Sequence, residues 1–117
     1  MGLQEIHEAG ILHCDIKLEN ILVENKNGVL HVDYCDFGSA CWANSVPDHV
    51  WTTPIHRPPE TISGGWSEKA DIFQLGLVIA QLFTGQHPIY GSVSEAQLQN
   101  MDRATINAMI KQFWPNI

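Results

Sequence analysis

Eight residues near the start of the chain, His13 to Asn20, bring an imidazole, a carboxylate, an ammonium and a carboxamide close together in the order H-C-D-I-K-L-E-N. Sixteen residues after Asn20, a further carboxylate opens the tripeptide D-F-G at 36–38, and R-P-P-E follows at 57–60. Carboxylates can accept protons, and carboxylate and amide oxygens are ligands for hard cations. An Asp beside a His and a Lys is, taken alone, more typical of a solvated loop. Only the three segments together, in this order and spacing, point to chemistry.

Cysteines can form disulfides or bind metal ions, but the spacing of the cysteines in this chain favours neither. Their number is odd and no C-x-x-C pair is present, so neither a disulfide framework nor a zinc ribbon is indicated. A metal site built from these cysteines and His13 is conceivable, but C-x5-C without a second pair is a weak signal. We interpret them as small buried or ordinary loop residues of a protein in a reducing compartment: Cys14, Cys35 and Cys41.

Patterns of apolar residues predict the elements that position these segments. Residues 3–9 carry apolar side chains at helical spacing and are followed by Gly10, so the chain opens on the end of a helix. Two short apolar runs, Asn20–Glu24 and Gly28–Tyr34, lie on either side of an Asn-Gly turn signal, which predicts a β-hairpin. Glycines and prolines then punctuate residues 36 to about 67. This predicts a long loop, and loops of that length are usually functional.

One long helix is predicted over about 67–84. Ser67 is a candidate N-cap, acidic residues follow early, and Gly85 is a stop signal. Its apolar positions cover nearly the whole circumference, so we expect a helix buried on all sides at the centre of the core. The segment 94–113 has a broken apolar stripe, which predicts one or two surface helices.

Composition and charge limit the classes of protein and partner. The chain has 117 residues, of which 44% are hydrophobic and 16% charged, as in one globular domain or a piece of a larger one. A net charge of −7 disfavours binding to nucleic acid and to anionic membranes. No signal peptide is predicted, and the longest apolar stretch, 75–83, is too short to span a bilayer. We expect no nucleic-acid or membrane partner and a cytoplasmic location, with the nucleus left open.

In order and spacing, the motifs resemble those of eukaryotic protein kinases. The segment 13–20 resembles the catalytic loop H-R-D-x-K-x-x-N, D-F-G the metal-binding motif, and R-P-P-E the A-P-E motif that closes the activation segment at 36–60. The helix at 67–84 is similar to the buried helix that follows A-P-E. The resemblance implies that residues 1–117 are a partial protein kinase domain. The implied fold is α+β, mainly α, a kinase-like C-terminal lobe with a short β-hairpin and no N-terminal lobe.

The resemblance implies roles for the matching residues. Asp15 resembles the catalytic aspartate that accepts the proton of the substrate hydroxyl. Lys17 resembles the lysine that neutralises the transferring phosphate in Ser/Thr kinases, which also places it against the nucleotide. Asn20 and Asp36 resemble the ligands of Mg²⁺ that bridges the phosphates of ATP, so ATP and Mg²⁺ are the implied cofactors. Thr53 resembles the threonine that contacts the catalytic Asp and Lys and positions the substrate.

Further residues are implied to be structural supports. His13 resembles the histidine that packs on the phenylalanine of D-F-G. Asp71 is expected to cap backbone N–H groups of its own helix or, as in the family, to hold the backbone of the catalytic loop. Glu60 resembles a glutamate that pairs with an arginine of a later helix; here the candidate is Arg103, and otherwise Glu60 is unpaired. The full set of supports is His13, Phe37, Gly38, Glu60 and Asp71.

The sequence departs from the family pattern in three ways. Cys14 replaces the arginine of H-R-D that pairs with a phosphate on the activation segment, so phosphorylation there is not expected to be the switch. His56 replaces the usual tyrosine, which leaves the shape of the substrate pocket open. No G-x-G-x-x-G, V-A-I-K or helix with the partner glutamate precedes His13, so the nucleotide-clamping lobe is missing and Mg-ATP is expected to bind weakly at best.

Three interpretations follow. We favour a fragment of a Ser/Thr protein kinase that transfers the γ-phosphate of ATP to a protein hydroxyl when an N-lobe completes it. The second is a stand-alone, pseudokinase-like binding module that docks on a kinase or its substrate. The third is a remnant that folds poorly and exposes apolar surface. The tryptophans are candidates for that exposed surface. The isolated chain is expected to be inactive or very weak, and its partner to be a protein substrate or another kinase.

Overall fold

The computed structural model describes residues 2–88 and residue 104. It shows a small α+β fold, as predicted, with one long helix and two short antiparallel sheets. The elements are α1 (Leu3–Glu8), β1 (Ile11–Leu12), β2 (Ile21–Lys26), β3 (Val29–Tyr34), β4 (Cys41–Trp42) and α2 (Glu68–Thr84). Short 3-10 turns lie at Leu18–Asn20, Pro54–His56 and Pro59–Thr61. The helices predicted within 94–113 fall outside the described residues.

Strands β2 and β3 form the predicted hairpin, paired along their whole length. The connection is a two-residue turn in which Asn27 and Gly28 have φ values of 54° and 84°. Positive φ at both central positions is the requirement of a type I′ turn, which matches the twist of the strands on either side. The first strand begins at Ile21, one residue later than predicted, because Asn20 ends a 3-10 turn and bonds the preceding loop through its side chain.

Strand β4 lies inside the region that the sequence predicts as one long loop. It pairs antiparallel with β1, with Leu12 opposite Cys41, and the bond from the Ala43 N–H to the Gly10 carbonyl at 2.8 Å continues the contact. Two-residue strands carry no periodic signal, which is why the pattern did not predict them. The pairing joins the residues just before the 13–20 loop to those just after D-F-G.

Two small apolar clusters bury side chains of the 13–20 loop. The first contains Leu12, Cys14, Val50, Trp66 and Ala70, and the second contains Leu3, Ile16 and Val78. Cys14 lies in the first cluster and Ile16, two residues later, lies in the second, and both are fully buried. Each cluster also contains a residue of α2, so the loop packs directly against that helix.

Helix α2 is buried on one face, which differs from the predicted burial on all sides. Its buried side chains are Ala70, Asp71, Gln74, Leu77 and Val78. On the other faces Ile72, Ile79, Leu82 and Phe83 are 48–88% exposed. Ser67 is the N-cap residue without a side-chain bond to the helix, and Gly85 ends the helix at a φ of 76°. No helix in the described part of the chain is long and apolar enough to cross a membrane.

Asp71, in the first turn of α2, is fully buried and accepts hydrogen bonds from outside its own helix. The backbone N–H groups of His13 and Cys14 donate to its two oxygens at 2.8 and 3.0 Å. The indole N–H of Trp66 lies at 2.9 Å, and Nε2 of His7 at 2.8 Å. Of the two expectations for Asp71, these bonds match the one in which it holds the backbone of the 13–20 loop.

Replacing Asp71 with Asn is expected to lower the free energy of unfolding by about 3 kcal/mol, because a buried group loses its charge and turns an N–H₂ toward backbone N–H donors. Urea unfolding followed by circular dichroism measures this change. The matched control is Asp48→Asn at an exposed position, which should stay within about 0.5 kcal/mol of the parent. Equal stabilities for the two variants would contradict this role of Asp71.

His56 and His87 form a buried pair where the chain after α2 returns to the Pro54–His56 turn. Each is 5% exposed, and their ring centroids lie 5.2 Å apart. Burial, followed by the nearby His87 and Lys17, lowers the pKa of His56 from 6.5 to about 4. Burial also lowers the pKa of His87, against a hydrogen bond to the backbone of Ile55 that raises it. His56 is therefore neutral in the folded chain at neutral pH.

This burial predicts a loss of stability in acid. Between pH 6.5 and about 4 the unfolded chain protonates His56 while the folded chain does not, so stability falls as the pH falls through this window. The contribution of His56 is about 3 kcal/mol. In His56→Phe, urea unfolding at pH 7 and pH 4 should show a pH dependence that is smaller by this amount, whereas His31→Asn, at an exposed position, should keep the parent dependence. An unchanged dependence in His56→Phe would refute the assignment.

Candidate active site

Lys17, Thr53 and Asp15 form one hydrogen-bonded chain. The Lys17 ammonium donates to Thr53 Oγ1 at 2.8 Å, and the Thr53 hydroxyl donates to Asp15 Oδ1 at 2.8 Å. This direction is fixed, because a hydroxyl has one hydrogen to give and an ammonium cannot accept. The Thr53 N–H and the Thr52 hydroxyl also donate to Oδ1, at 3.0 and 3.3 Å. Oδ1 is therefore saturated, while Oδ2 has a long 3.5 Å contact from Asn20 Nδ2 and can take a further donor.

Asn20 and Asp36 each carry an oxygen suited to a cation, and hydrogen bonds orient both side chains. Nδ2 of Asn20 donates to the Asp15 carbonyl at 2.8 Å, which leaves the amide oxygen of Asn20 as a ligand. The N–H of Cys35 donates to the Asn20 carbonyl at 2.9 Å, so Asp36 follows at the next position. The N–H of Gly38 donates to one Asp36 oxygen at 3.1 Å and orients the carboxylate. This pair fits a hard cation that takes its other ligands from water or a bound anion.

The structure holds no larger set of ligands in its described part. Among residues 2–88 and 104, no group of three or more His, Cys, Asp or Glu could hold a metal ion. A site made by the cysteines and His13 is therefore absent from the described residues. The Asn20 and Asp36 pair is of a different kind, because a cation there would be shared with a ligand rather than enclosed by the protein.

His13 connects the loop that carries Asp15 to D-F-G. It is fully buried, and its ring centroid lies 5.0 Å from that of Phe37. Its Nδ1 accepts the N–H of Asp15 at 3.1 Å, so the ring proton is on Nε2, which lies 2.9 Å from the Cys35 carbonyl. One ring thus fixes both the residue before Asp36 and the backbone of Asp15.

Gln74 is a site residue that the sequence analysis did not identify. It is fully buried on α2, and its Oε1 accepts the N–H of Ile16 at 2.8 Å. Its Nε2 donates to Thr52 Oγ1 at 2.8 Å and to the His56 carbonyl at 3.0 Å. Thr52 in turn donates to Asp15. The available signal was a carboxamide between two apolar residues, Phe73 and Leu75, in a helix predicted to be buried.

Arg57 folds the R-P-P-E segment back on itself. Its guanidinium donates to the Val50 carbonyl at 2.6 Å and to the Thr61 carbonyl at 3.2 Å. Glu60 is exposed and makes no ion pair to any residue within 2–88. Arg103, the candidate partner of Glu60, lies outside the described residues.

Comparison with known proteins gives a consistent result. The family model of the protein kinase domain matches residues 1–116. A probable cyclin-dependent serine/threonine-protein kinase of Dictyostelium discoideum is 30% identical, over 99% of this chain and 18% of the relative. Protein kinase gsk31 of Schizosaccharomyces pombe is 36% identical, over 87% of this chain and 27% of the relative. A dual specificity protein kinase YAK1 homolog of Arabidopsis thaliana is 33% identical, over 81% of this chain and 10% of the relative.

The chain therefore spans between 10 and 27% of the length of these three relatives. The family match covers the loop at 13–20, D-F-G and R-P-P-E, and the structure joins the first two of these segments through His13. This chain belongs to the protein kinase domain family.

Proposed function

We propose that this chain is the phosphotransfer part of a Ser/Thr protein kinase, which moves the γ-phosphate of ATP to a hydroxyl of a protein substrate. The observation that carries the proposal is the hydrogen-bonded chain from Lys17 through Thr53 to Asp15. It occupies one oxygen of the Asp15 carboxylate and leaves the other for an incoming hydroxyl. The positively charged ammonium of Lys17 lies at the other end of this series of hydrogen bonds.

In this proposal Asp15 orients the attacking hydroxyl and accepts its proton. Three donors on Oδ1 fix the plane of the carboxylate before substrate binds, so no reorganisation is needed during the reaction. A substrate hydroxyl that donates to Oδ2 is then held in one direction. Lys17 supplies positive charge beside this position, where negative charge must be neutralised as the phosphoryl group transfers.

Protein kinases generally use ATP and Mg²⁺, and Asn20 and Asp36 are the residues that would hold the metal ion here. A bound Mg²⁺ would supply positive charge that neutralises the phosphate groups. The residues of this chain keep the ligands in place: the Asp15 carbonyl orients the Asn20 amide, and the Gly38 N–H orients Asp36. Both cation ligands are therefore bonded to the segments that carry the proton acceptor and D-F-G.

A binding module that docks on a kinase or its substrate is the second candidate. The observation that favours it is the lack of G-x-G-x-x-G and V-A-I-K within these 117 residues. ATP binding then depends on a nucleotide-clamping lobe supplied by another part of the protein or by a partner. We favour the phosphotransfer proposal because the bonds around Asp15 are complete in the chain as it stands.

The size of the native product and its activity test this proposal. An antibody against residues 94–117 identifies the product, which is purified and assayed with radiolabelled Mg-ATP and a basic protein substrate. A product that contains a nucleotide-clamping lobe should transfer phosphate to serine or threonine, and Asp15→Asn should lower kcat by at least about 100-fold. Asp48→Asn is the matched control and should retain activity.

Retained activity in Asp15→Asn would contradict the proposed role of Asp15. The 117-residue chain assayed alone should incorporate no phosphate above background. If the native product is this chain alone and no activity depends on Asp15, the phosphotransfer proposal is wrong and the binding module is favoured.

Gln74 is proposed to position the segment that bonds Asp15, acting through Thr52. A double-mutant cycle on stability isolates this contact. We expect Gln74→Ala and Thr52→Val together to be less destabilising than the sum of the single changes by about 1 kcal/mol, since either change alone breaks their shared bond. Urea unfolding provides all four free energies. Gln74→Ala with Thr84→Val, on a residue that bonds elsewhere, is the control pair and should be additive.

A further inference from the structure

Two of the three cysteines, which the sequence places 27 residues apart, meet beside the candidate site. Sγ of Cys14, in the 13–20 loop, lies 3.8 Å from Sγ of Cys41, in β4. Cys14 is fully buried and Cys41 is partly exposed. Cys35 does not take part in this contact. The pair lies between two segments that the phosphotransfer proposal uses, but no step of that proposal involves either sulfur.

The backbone holds both sulfurs in place. The Cys14 N–H is bonded to Asp71 at 3.0 Å, and β4 is paired with β1 so that Cys41 lies opposite Leu12, two residues before Cys14. Both cysteines also pack in the cluster with Val50. A disulfide requires a sulfur–sulfur distance of about 2.05 Å, so the two atoms must approach by less than about 2 Å.

We propose that Cys14 and Cys41 form a modification site, at which hydrogen peroxide oxidises the two thiols to a disulfide that links the loop bearing Asp15 to the segment after D-F-G. The site rests on the geometry of the sulfurs and stands whether or not the chain transfers phosphate. In the family pattern the Cys14 position carries an arginine that pairs with a phosphate on the same segment. Here the two segments would instead be tied covalently and reversibly.

The reaction balances in two steps. Cys41 is exposed enough to meet peroxide, and its sulfur takes one peroxide oxygen as the O–O bond breaks, which gives a sulfenic acid and one molecule of water. The Cys14 sulfur then attacks the sulfenic sulfur. The S–S bond forms, the S–O bond breaks, and the hydroxyl leaves with the Cys14 proton as a second water. Two thiols lose two electrons, and the peroxide gains them.

The surroundings of Cys14 fix the order of these steps. Burial, followed by the nearby Cys41 and Asp71, raises the pKa of the Cys14 thiol well above its usual range. Cys14 is fully buried and out of contact with peroxide in the solvent, so the partly exposed Cys41 reacts first. Cys14 then acts as the resolving thiol, at a distance that only a small movement must close.

Trypsin mapping tests the proposal on the full chain. Cleavage places Cys14 in peptide 1–17 and Cys41 in peptide 27–69, since Arg57 is followed by proline and is not cut. The Cys35→Ser variant is treated with hydrogen peroxide, its remaining thiols are blocked with iodoacetamide, and the digest is analysed by mass spectrometry. Peptides 1–17 and 27–69 should appear joined, lighter by about 2 Da than the sum of the two, and dithiothreitol should separate them.

The matched variant Cys41→Ser keeps Cys14 and Cys35 and should give no joined peptide. The proposal is overturned if Cys41→Ser gives as much joined peptide as Cys35→Ser. It is equally overturned if peroxide converts the cysteines of Cys35→Ser only to sulfinic or sulfonic acid. The same holds if the disulfide forms no faster in the folded protein than in protein unfolded by guanidinium. A second measurement needs no digestion: oxidised Cys35→Ser should melt at least about 5 °C above its reduced form, and Cys41→Ser should show no such shift.

Discussion

The site depends on one buried carboxylate, that of Asp71, which accepts the N–H groups of two successive residues of the 13–20 loop. A loop of irregular backbone cannot satisfy its own N–H groups, and leaving them unpaired in a buried place costs stability. A buried carboxylate is equally costly without donors. Each group therefore satisfies the other. Because His13 and Cys14 immediately precede Asp15, the backbone at Asp15 is positioned from helix α2.

Gln74 repeats this arrangement one turn further along the same helix. It bonds the backbone of Ile16 on one side and Thr52 on the other, and Thr52 bonds Asp15. Residues three apart on a helix share a face, so α2 presents Asp71 and Gln74 together to the loop. The buried stripe of this helix thus contains two polar side chains among apolar ones. A complete network of this kind favours a single arrangement of the buried groups. Loss of one member leaves the others without partners and lowers the stability of the fold.

The parts predicted from the sequence are those encoded by local signals. The Asn-Gly turn defines the hairpin, and the stretch between Ser67 and Gly85 defines α2 almost to the residue. The pairing of β1 with β4 has no local signal, because it joins two very short segments distant in the sequence. The role of Gln74 was missed for a related reason. Apolar positions around a helix show that it can be buried, but not which face its neighbours cover.

Cys14 shows how a position that departs from the family pattern can be understood from its surroundings. In the sequence, Cys14 stands where the family pattern has an arginine, so the side chain that pairs with a phosphate is absent at this position. In the structure it has a φ of 71°, a conformation that side chains adopt with strain, and its N–H is bound by Asp71. A charged guanidinium would need an anion to be stable in so enclosed a place. A small neutral thiol needs none, so here the contact between the loop and the segment after D-F-G forms without any negative charge on that segment.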